Sequence, residues 1–134
     1  MNAKVFLYPL TIKENHLDSF EHVNNATYLN LFEQARWDML KKNGYTWENM
    51  KETGVGPTIL EIKITFLKEL RLHDAIIIET QVISYKKKIG RLMQKMMRDG
   101  VVCCEAEYVM GFFDLRTRKL VLPMPELLQA FGIE

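Results

Sequence analysis

The spacing of apolar residues changes period along the chain, and each change predicts an element. From Lys4 to Ile12, Val5, Leu7 and Tyr8 supply the apolar content of a strand. Pro9 sends that strand to a sheet edge, because proline cannot donate to a ladder. From Ala26 the spacing becomes helical: Tyr28, Leu31, Phe32, Ala35 and Met39 recur on one face, with Leu40 beside them. Asn30, Glu33, Gln34 and Asp38 take the other face. The pattern predicts a helix from about Ala26 to about Lys42, stopped by Asn43-Gly44. At 1.5 Å per residue it is about 25 Å long, enough to lie across a sheet. "YTWENMKETG" predicts a short second helix, capped by Thr46 and ended by Gly54.

Beyond that point the period is two. "ILEIKITFL" alternates Leu60, Ile62, Ile64 and Phe66 against Glu61, Lys63 and Thr65. "AIIIETQVISY" sets Ile76, Ile78, Thr80 and Val82 against Ile77, Glu79, Gln81 and Ile83. "RLMQKMMR" and "VVCCEAEYVMGFF" flank Asp99-Gly100, a two-residue hairpin signal. The second of these strands places Val102, Cys104, Ala106, Tyr108, Met110 and Phe112 on one face. "MPELLQAFG" closes the chain as a short helix with Pro125 in its first turn. The order β–α–(short α)–β–β–β–β–α predicts an α+β fold: an antiparallel sheet of about five strands wrapped around one long helix. A single domain spanning 1–134 follows, since no linker, repeat or low-complexity segment divides it. A domain this small leaves a sheet edge and face incompletely covered, which predicts a homo-oligomer.

Composition narrows the partners. The net charge of +1 carries no basic excess for a nucleic acid. The longest apolar runs are a few residues, far short of the ~20 that span a bilayer. "MNAKVFLYPL" has neither the apolar core nor the cleavage site of a secretory signal. Cys103 and Cys104 are adjacent, and neighbours in a strand point to opposite faces, so no disulfide is expected between them. A reducing, cytoplasmic setting is the expectation.

The densest chemistry is "HLDSFEHVNNATYLNLFEQARWDML", where Asp18, His22, Asn24 and Asn25 crowd the start of the long helix. The bland readings are an N-cap from Asn24 or Asn25, an Asx-turn at Asp18 and an ordinary loop histidine at His22. His16, Asp18 and His22 make no tight metal motif, so no metal is expected. No G-x-S-x-G or glycine-rich phosphate loop occurs. A carboxylate near a helix start remains. The helix end offers free N–H groups and partial positive charge that polarise a carbonyl. A carboxylate beside that carbonyl activates water or attacks directly. Asp18 lies far enough before Asn25 to fold over the helix start.

Asp18-x-x-x-His22-Val23-Asn24-Asn25, then Tyr28, then "FEQAR" resembles the 4-hydroxybenzoyl-CoA thioesterase type of the hotdog-fold superfamily. "ITFLKELRLHDAIIIET" resembles that family's second and third strands, and "DLRTRKLVLPMPELLQAF" its terminal hairpin and closing helix. The resemblance implies an acyl-CoA thioesterase that needs no cofactor. Asp18 would be general base or nucleophile, and the backbone N–H of Asn25 would polarise the thioester carbonyl. His22, Asn24 and Tyr28 would shape the site. The family implies dimers or tetramers with acyl sites at the subunit interface. Glu21 departs from the pattern, since relatives often carry glycine before the histidine; its carboxylate either presses on Asp18 or points to solvent.

An acyl-CoA, or a carrier-protein thioester, is the expected substrate. Arg71, Lys87 within "KKK", and Arg91 are candidates for the phosphates of CoA, with Arg116, Arg118 and Lys119 behind them, although hairpin cations more often face solvent. Met93, Met96, Met97 and Met110 could line an acyl tunnel, with core packing the simpler use. Two rivals stay open: a hydratase or dehydratase using Asp18 and His22 as an acid/base pair, and a non-catalytic acyl-binding oligomer in which the cluster merely caps the helix.

Overall fold

The computed structural model describes residues 2–134. Six strands form one antiparallel sheet: β1 (Phe6–Thr11), β2 (Val55–Phe66), β3 (Ala75–Lys86), β4 (Ile89–Arg98), β5 (Val101–Asp114) and β6 (Lys119–Val121). The helices are α1 (Asn25–Lys42), α2 (Trp47–Thr53) and α3 (Pro125–Ala130). The sheet order is β1-β3-β4-β5-β2, with the short β6 on β5. The expected count of about five strands is therefore corrected to six. The extra strand is three residues long, too short for an alternating pattern to declare itself.

Local chemistry places the boundaries. Asn24 caps α1, its Oδ1 accepting from the Ala26 N–H at 2.9 Å. Asp99 and Gly100 both take positive φ, +51° and +75°, as a two-residue hairpin turn of this hand requires. Pro9 lies on β1, at one end of the sheet. β2 is the other end.

The core lies between α1 and one sheet face. Tyr28, Leu31, Phe32, Ala35, Met39 and Leu40 of α1 are buried. Ile76, Ile78, Val82, Leu92, Met96, Cys104, Ala106, Tyr108, Met110 and Phe112 are buried with them. Directly paired residues of antiparallel strands project to the same face. Ile62 pairs with Tyr108, Ile64 with Ala106 and Phe66 with Cys104. The apolar row of β2 therefore belongs to the helix side. Yet Ile62 and Phe66 remain 45% and 47% exposed, because β2 is an end strand and nothing in one chain covers it.

Two bulges change the predicted faces. The register shifts between Met96 and Met97 of β4, where Met96 pairs with Cys104 and Met97 with Val102. Cys103 becomes the extra residue, so both cysteines are buried and Val102 joins the outer face with Met97. The expectation that Val102 shares a face with Cys104 is thus corrected. A second shift makes Leu60 the extra residue of β2, and its side chain is 47% exposed. Met93 pairs with Gln81 and Met97 with Ile77, which turns both methionines away from the helix. Of the four candidate tunnel methionines, only Met96 and Met110 face α1. Among the described residues no helix is long and apolar enough to cross a membrane.

Candidate active site

The segment before α1 is a tight hairpin. The Asn24 N–H donates to His16 O at 3.0 Å, Leu17 bridges Val23, and the Asp18 N–H donates to His22 O at 3.1 Å. The Glu21 N–H closes the turn on Asp18 O at 3.1 Å. The chain thereby sets Asp18 directly across from His22, at the entrance of α1. The Val23 N–H donates to Leu70 O at 3.0 Å, which ties the hairpin to the turn before β3. That turn is itself pinned. The Asp74 carboxylate accepts from the Arg71 N–H and from Arg98, each at 2.8 Å. Partial burial pushes the Asp74 pKa up, but these donors outweigh it and hold the carboxyl below its usual range.

Glu21 sits at φ +65° and is exposed. This is the left-handed conformation that glycine adopts most readily. A glycine would hold this turn without that strain, and Glu21 directs its charge to solvent.

The polar side chains do different things. One oxygen of Asp18, Oδ1, accepts from the Phe20 N–H at 2.8 Å in an Asx-turn. Its other oxygen has no hydrogen bond among the described residues. His22 Nδ1 lies 3.1 Å from Val23 O. A carbonyl can only accept, so Nδ1 carries a proton in this contact. The ring stacks on Phe20, which is 78% exposed. Asn24 is committed to the cap. The Asn25 N–H, at the first position of α1, has no acceptor among the described residues. It is an open donor at the positive end of an 18-residue helix. Tyr28, one turn in, is buried edge-on against Phe66 with centroids 5.0 Å apart. Burial pushes its pKa up.

The candidate phosphate-binding cations are scattered. Arg71 follows Leu70 beside the hairpin, but its guanidinium pairs with Glu69. Arg91 pairs with Glu107 at 3.6 Å on the outer face. Lys87 forms the β3–β4 turn at φ +55°. That turn lies at the opposite end of the sheet from Asp18. β4 runs about 33 Å at 3.3 Å per residue, so one subunit cannot bring Lys87 to the hairpin. Arg116 and Arg118 occupy the β5–β6 turn at the same far end. The Cys104 thiol is pushed up to about 12 by burial, then by the neighbouring Cys103 and Glu105, which makes it a poor nucleophile.

One cluster has no counterpart in the sequence reading. The Gln94 side chain is fully buried in β4. Its amide donates to Phe32 O of α1 and to Thr80 Oγ1, both at 3.0 Å. Its carbonyl accepts from Arg36 at 2.9 Å. The Arg36 guanidinium lies 4.8 Å over the Tyr108 ring. Only strand register brings Gln94 and Arg36 together, so no local motif signals them.

The thioesterase-like superfamily model matches residues 12–131, which includes the hairpin, α1 and every strand from β2 onward. The chain belongs to the thioesterase-like superfamily. It is 31% identical over 120 residues to the long-chain acyl-CoA thioesterase FadM of Escherichia coli, covering 88% of this chain and 90% of that one. It is 25% identical to the acyl-CoA thioesterase YbgC of Haemophilus influenzae, covering 94% and 93%. Among solved structures, the probable thioesterase YbaW from E. coli superposes with a TM-score of 0.83 at 28% identity, covering 94% and 98%. This thioesterase-like chain thus shares its six-stranded antiparallel sheet and helix with relatives over nearly its full length, in keeping with the hotdog arrangement.

Proposed function

We propose that this chain hydrolyses acyl-CoA thioesters to a free acid and CoA at the entrance of α1. The observation that carries this reading is the open Asn25 N–H beside the hairpin holding Asp18. The thioester carbonyl oxygen accepts from that N–H, and the helix end stabilises the charge that develops there. Asp18 takes a proton from water as it attacks the carbonyl carbon, or attacks directly and leaves water to cleave the anhydride. Collapse of the tetrahedral intermediate breaks the C–S bond, and the leaving thiolate regains a proton. His22, Asn24 and Tyr28 shape the mouth. This is the reading of the 4-hydroxybenzoyl-CoA thioesterase type, with the sheet curled around α1 as its central helix.

The acyl group enters the apolar space between α1 and β2. The named activity of FadM on long-chain acyl-CoA makes an aliphatic chain the preferred occupant. Arg71, next to the hairpin in the same subunit, would meet CoA by exchanging its Glu69 partner for a phosphate. Lys87 and Arg91 serve only if an assembled oligomer brings another subunit's copies beside the mouth. A homodimer or homotetramer in the cytoplasm fits the half-exposed Ile62 and Phe66 on the free β2 edge. Light scattering reads the assembly, and Ile62→Lys should shift it toward monomer.

The deciding experiment is free-thiol release from a panel of acyl-CoAs, from acetyl to long-chain. Release that rises with chain length supports the proposal. No release from any member, with an intact fold, overturns it.

A further inference from the structure

Two turns meet at the end of the sheet away from Asp18. The β3–β4 turn carries Lys86, Lys87 and Lys88, and the β5–β6 segment carries Arg116, Arg118 and Lys119. β3 and β5 both pair antiparallel with β4, so both strands finish at this end. The two segments also close on one point. A Cβ on Gly111 would lie 2.8 Å from Lys88 O and 2.8 Å from a Leu120 methyl. The turns are therefore neighbours.

From Tyr85 to Gly90 and from Asp114 to Leu122, these six cations are accompanied by one carboxylate, Asp114. The whole chain carries only +1, so the rest of it is net acidic. Asp114 is spent on the backbone, where it accepts from the N–H groups of Arg116 and Thr117 at 2.8 and 3.1 Å. Arg116 reaches only a main-chain oxygen, Glu52 O at 3.4 Å, and Arg118 lies 4.9 Å over the Phe113 ring. All six cations are exposed, and among the described residues none makes an ion pair. Like charges gathered this way repel one another, and nothing within the chain offsets them.

Apolar side chains stand among them. Leu122 is 62% exposed, Leu115 45% and Ile89 39%. Unpaired cations with apolar tips between them suit an anionic bilayer: the cations meet headgroups while the tips enter the boundary below. A soluble phosphate ligand gains nothing from exposed leucines. CoA held at the mouth of the same subunit lies at the other end of the sheet.

We propose that this end of the sheet docks peripherally on anionic lipid bilayers, with the six cations at the headgroups and Leu115, Leu122 and Ile89 in the interface. No segment crosses the bilayer. The docking goes beyond thioester hydrolysis, and its test reads no turnover, so either reading fails without the other.

The test is sedimentation of the full chain with two sets of vesicles, phosphatidylcholine alone and equal parts phosphatidylcholine and phosphatidylglycerol. The protein should sediment with the mixed vesicles and not with the neutral ones. Raising salt from about 0.1 M to about 1 M, which cuts the screening length from about 10 Å to about 3 Å, should release most of it. Each cation near the surface contributes about fivefold, so Lys86→Gln, Lys87→Gln and Lys88→Gln together should weaken the partition about a hundredfold. Three equal changes elsewhere, Lys13→Gln, Lys41→Gln and Lys63→Gln, should weaken it far less. Leu122→Ser alone should weaken it about fivefold. Excess CoA at constant ionic strength should leave the protein on the vesicles. Should the Lys86–Lys88 variant fail to fold, Arg118→Gln with Lys119→Gln serves, with an expected loss of about twenty-five-fold. Equal sedimentation with both vesicle sets, or with neither, overturns the proposal. So do equal losses from the two lysine triples, an unchanged partition in Leu122→Ser, or displacement by CoA. Capture of an acidic carrier protein by a chain that ignores the vesicles overturns it as well.

Discussion

Two polar clusters lie against α1, and they are built on opposite rules. At mid-helix, Gln94 uses both amide hydrogens and its carbonyl, joining Phe32, Thr80 and Arg36 in one buried set. At the helix start, the Asn25 N–H and one Asp18 oxygen are left without partners among the described residues. The first cluster fixes where α1 sits on the sheet. The second leaves a donor and an acceptor ready for something the chain itself does not supply. Satisfied polar groups in a core stabilise position; unsatisfied ones facing an opening are available for chemistry.

That contrast is broken most sharply at Asp18. Asp18→Asn keeps the Asx-turn acceptor but removes the base, so thiol release should fall about a thousandfold while urea unfolding stays near wild type. Gln94→Leu should do the reverse. Losing three buried hydrogen bonds and stranding Thr80 and Arg36 costs about 3 kcal/mol, read as a lower urea midpoint. Asn24→Ala strips the cap and costs about 1 kcal/mol, visible in the same transition.

A pH prediction concerns the support of the hairpin. The Asp74 pKa is lowered in the folded state, so its contribution is present above the ordinary carboxylate range and fades as pH falls through that range and below. The Tm gap between wild type and Asp74→Asn should therefore be open at pH 7 and shrink in acid. A gap independent of pH would show that the ionised carboxylate is not what pins the turn. The smallest effect belongs to Glu21→Gly, which relieves a positive φ and should raise stability by about 0.5 kcal/mol with hydrolysis unchanged.

Local patterns made α1, the Asp99-Gly100 hairpin and the Asn24 cap legible, because each is written within a few residues. The crowding of Asp18, His22, Asn24 and Asn25 was visible too, though the backbone pairing of Asp18 with His22 was not. What escaped the sequence depends on distant contacts. Cys103 and Leu60 break the period of two only because partner strands shift register there. Nothing in "RLMQKMMR" singles out Gln94, and only the placement of β4 under α1 brings it to Phe32 O. Lys87 looked available to CoA until the length of β4 put it at the far end of the sheet.

The central claim is that one backbone N–H, that of Asn25, polarises the thioester carbonyl. Proline at the first helical position removes that N–H while suiting the helix. Asn24 already holds φ −62° and ψ 140°, a conformation allowed before proline. The direct measurement is kcat for thiol release by Asn25→Pro, with α1 checked by circular dichroism. A fall of about a hundredfold or more in a folded protein is predicted. Wild-type turnover by that variant would contradict the account.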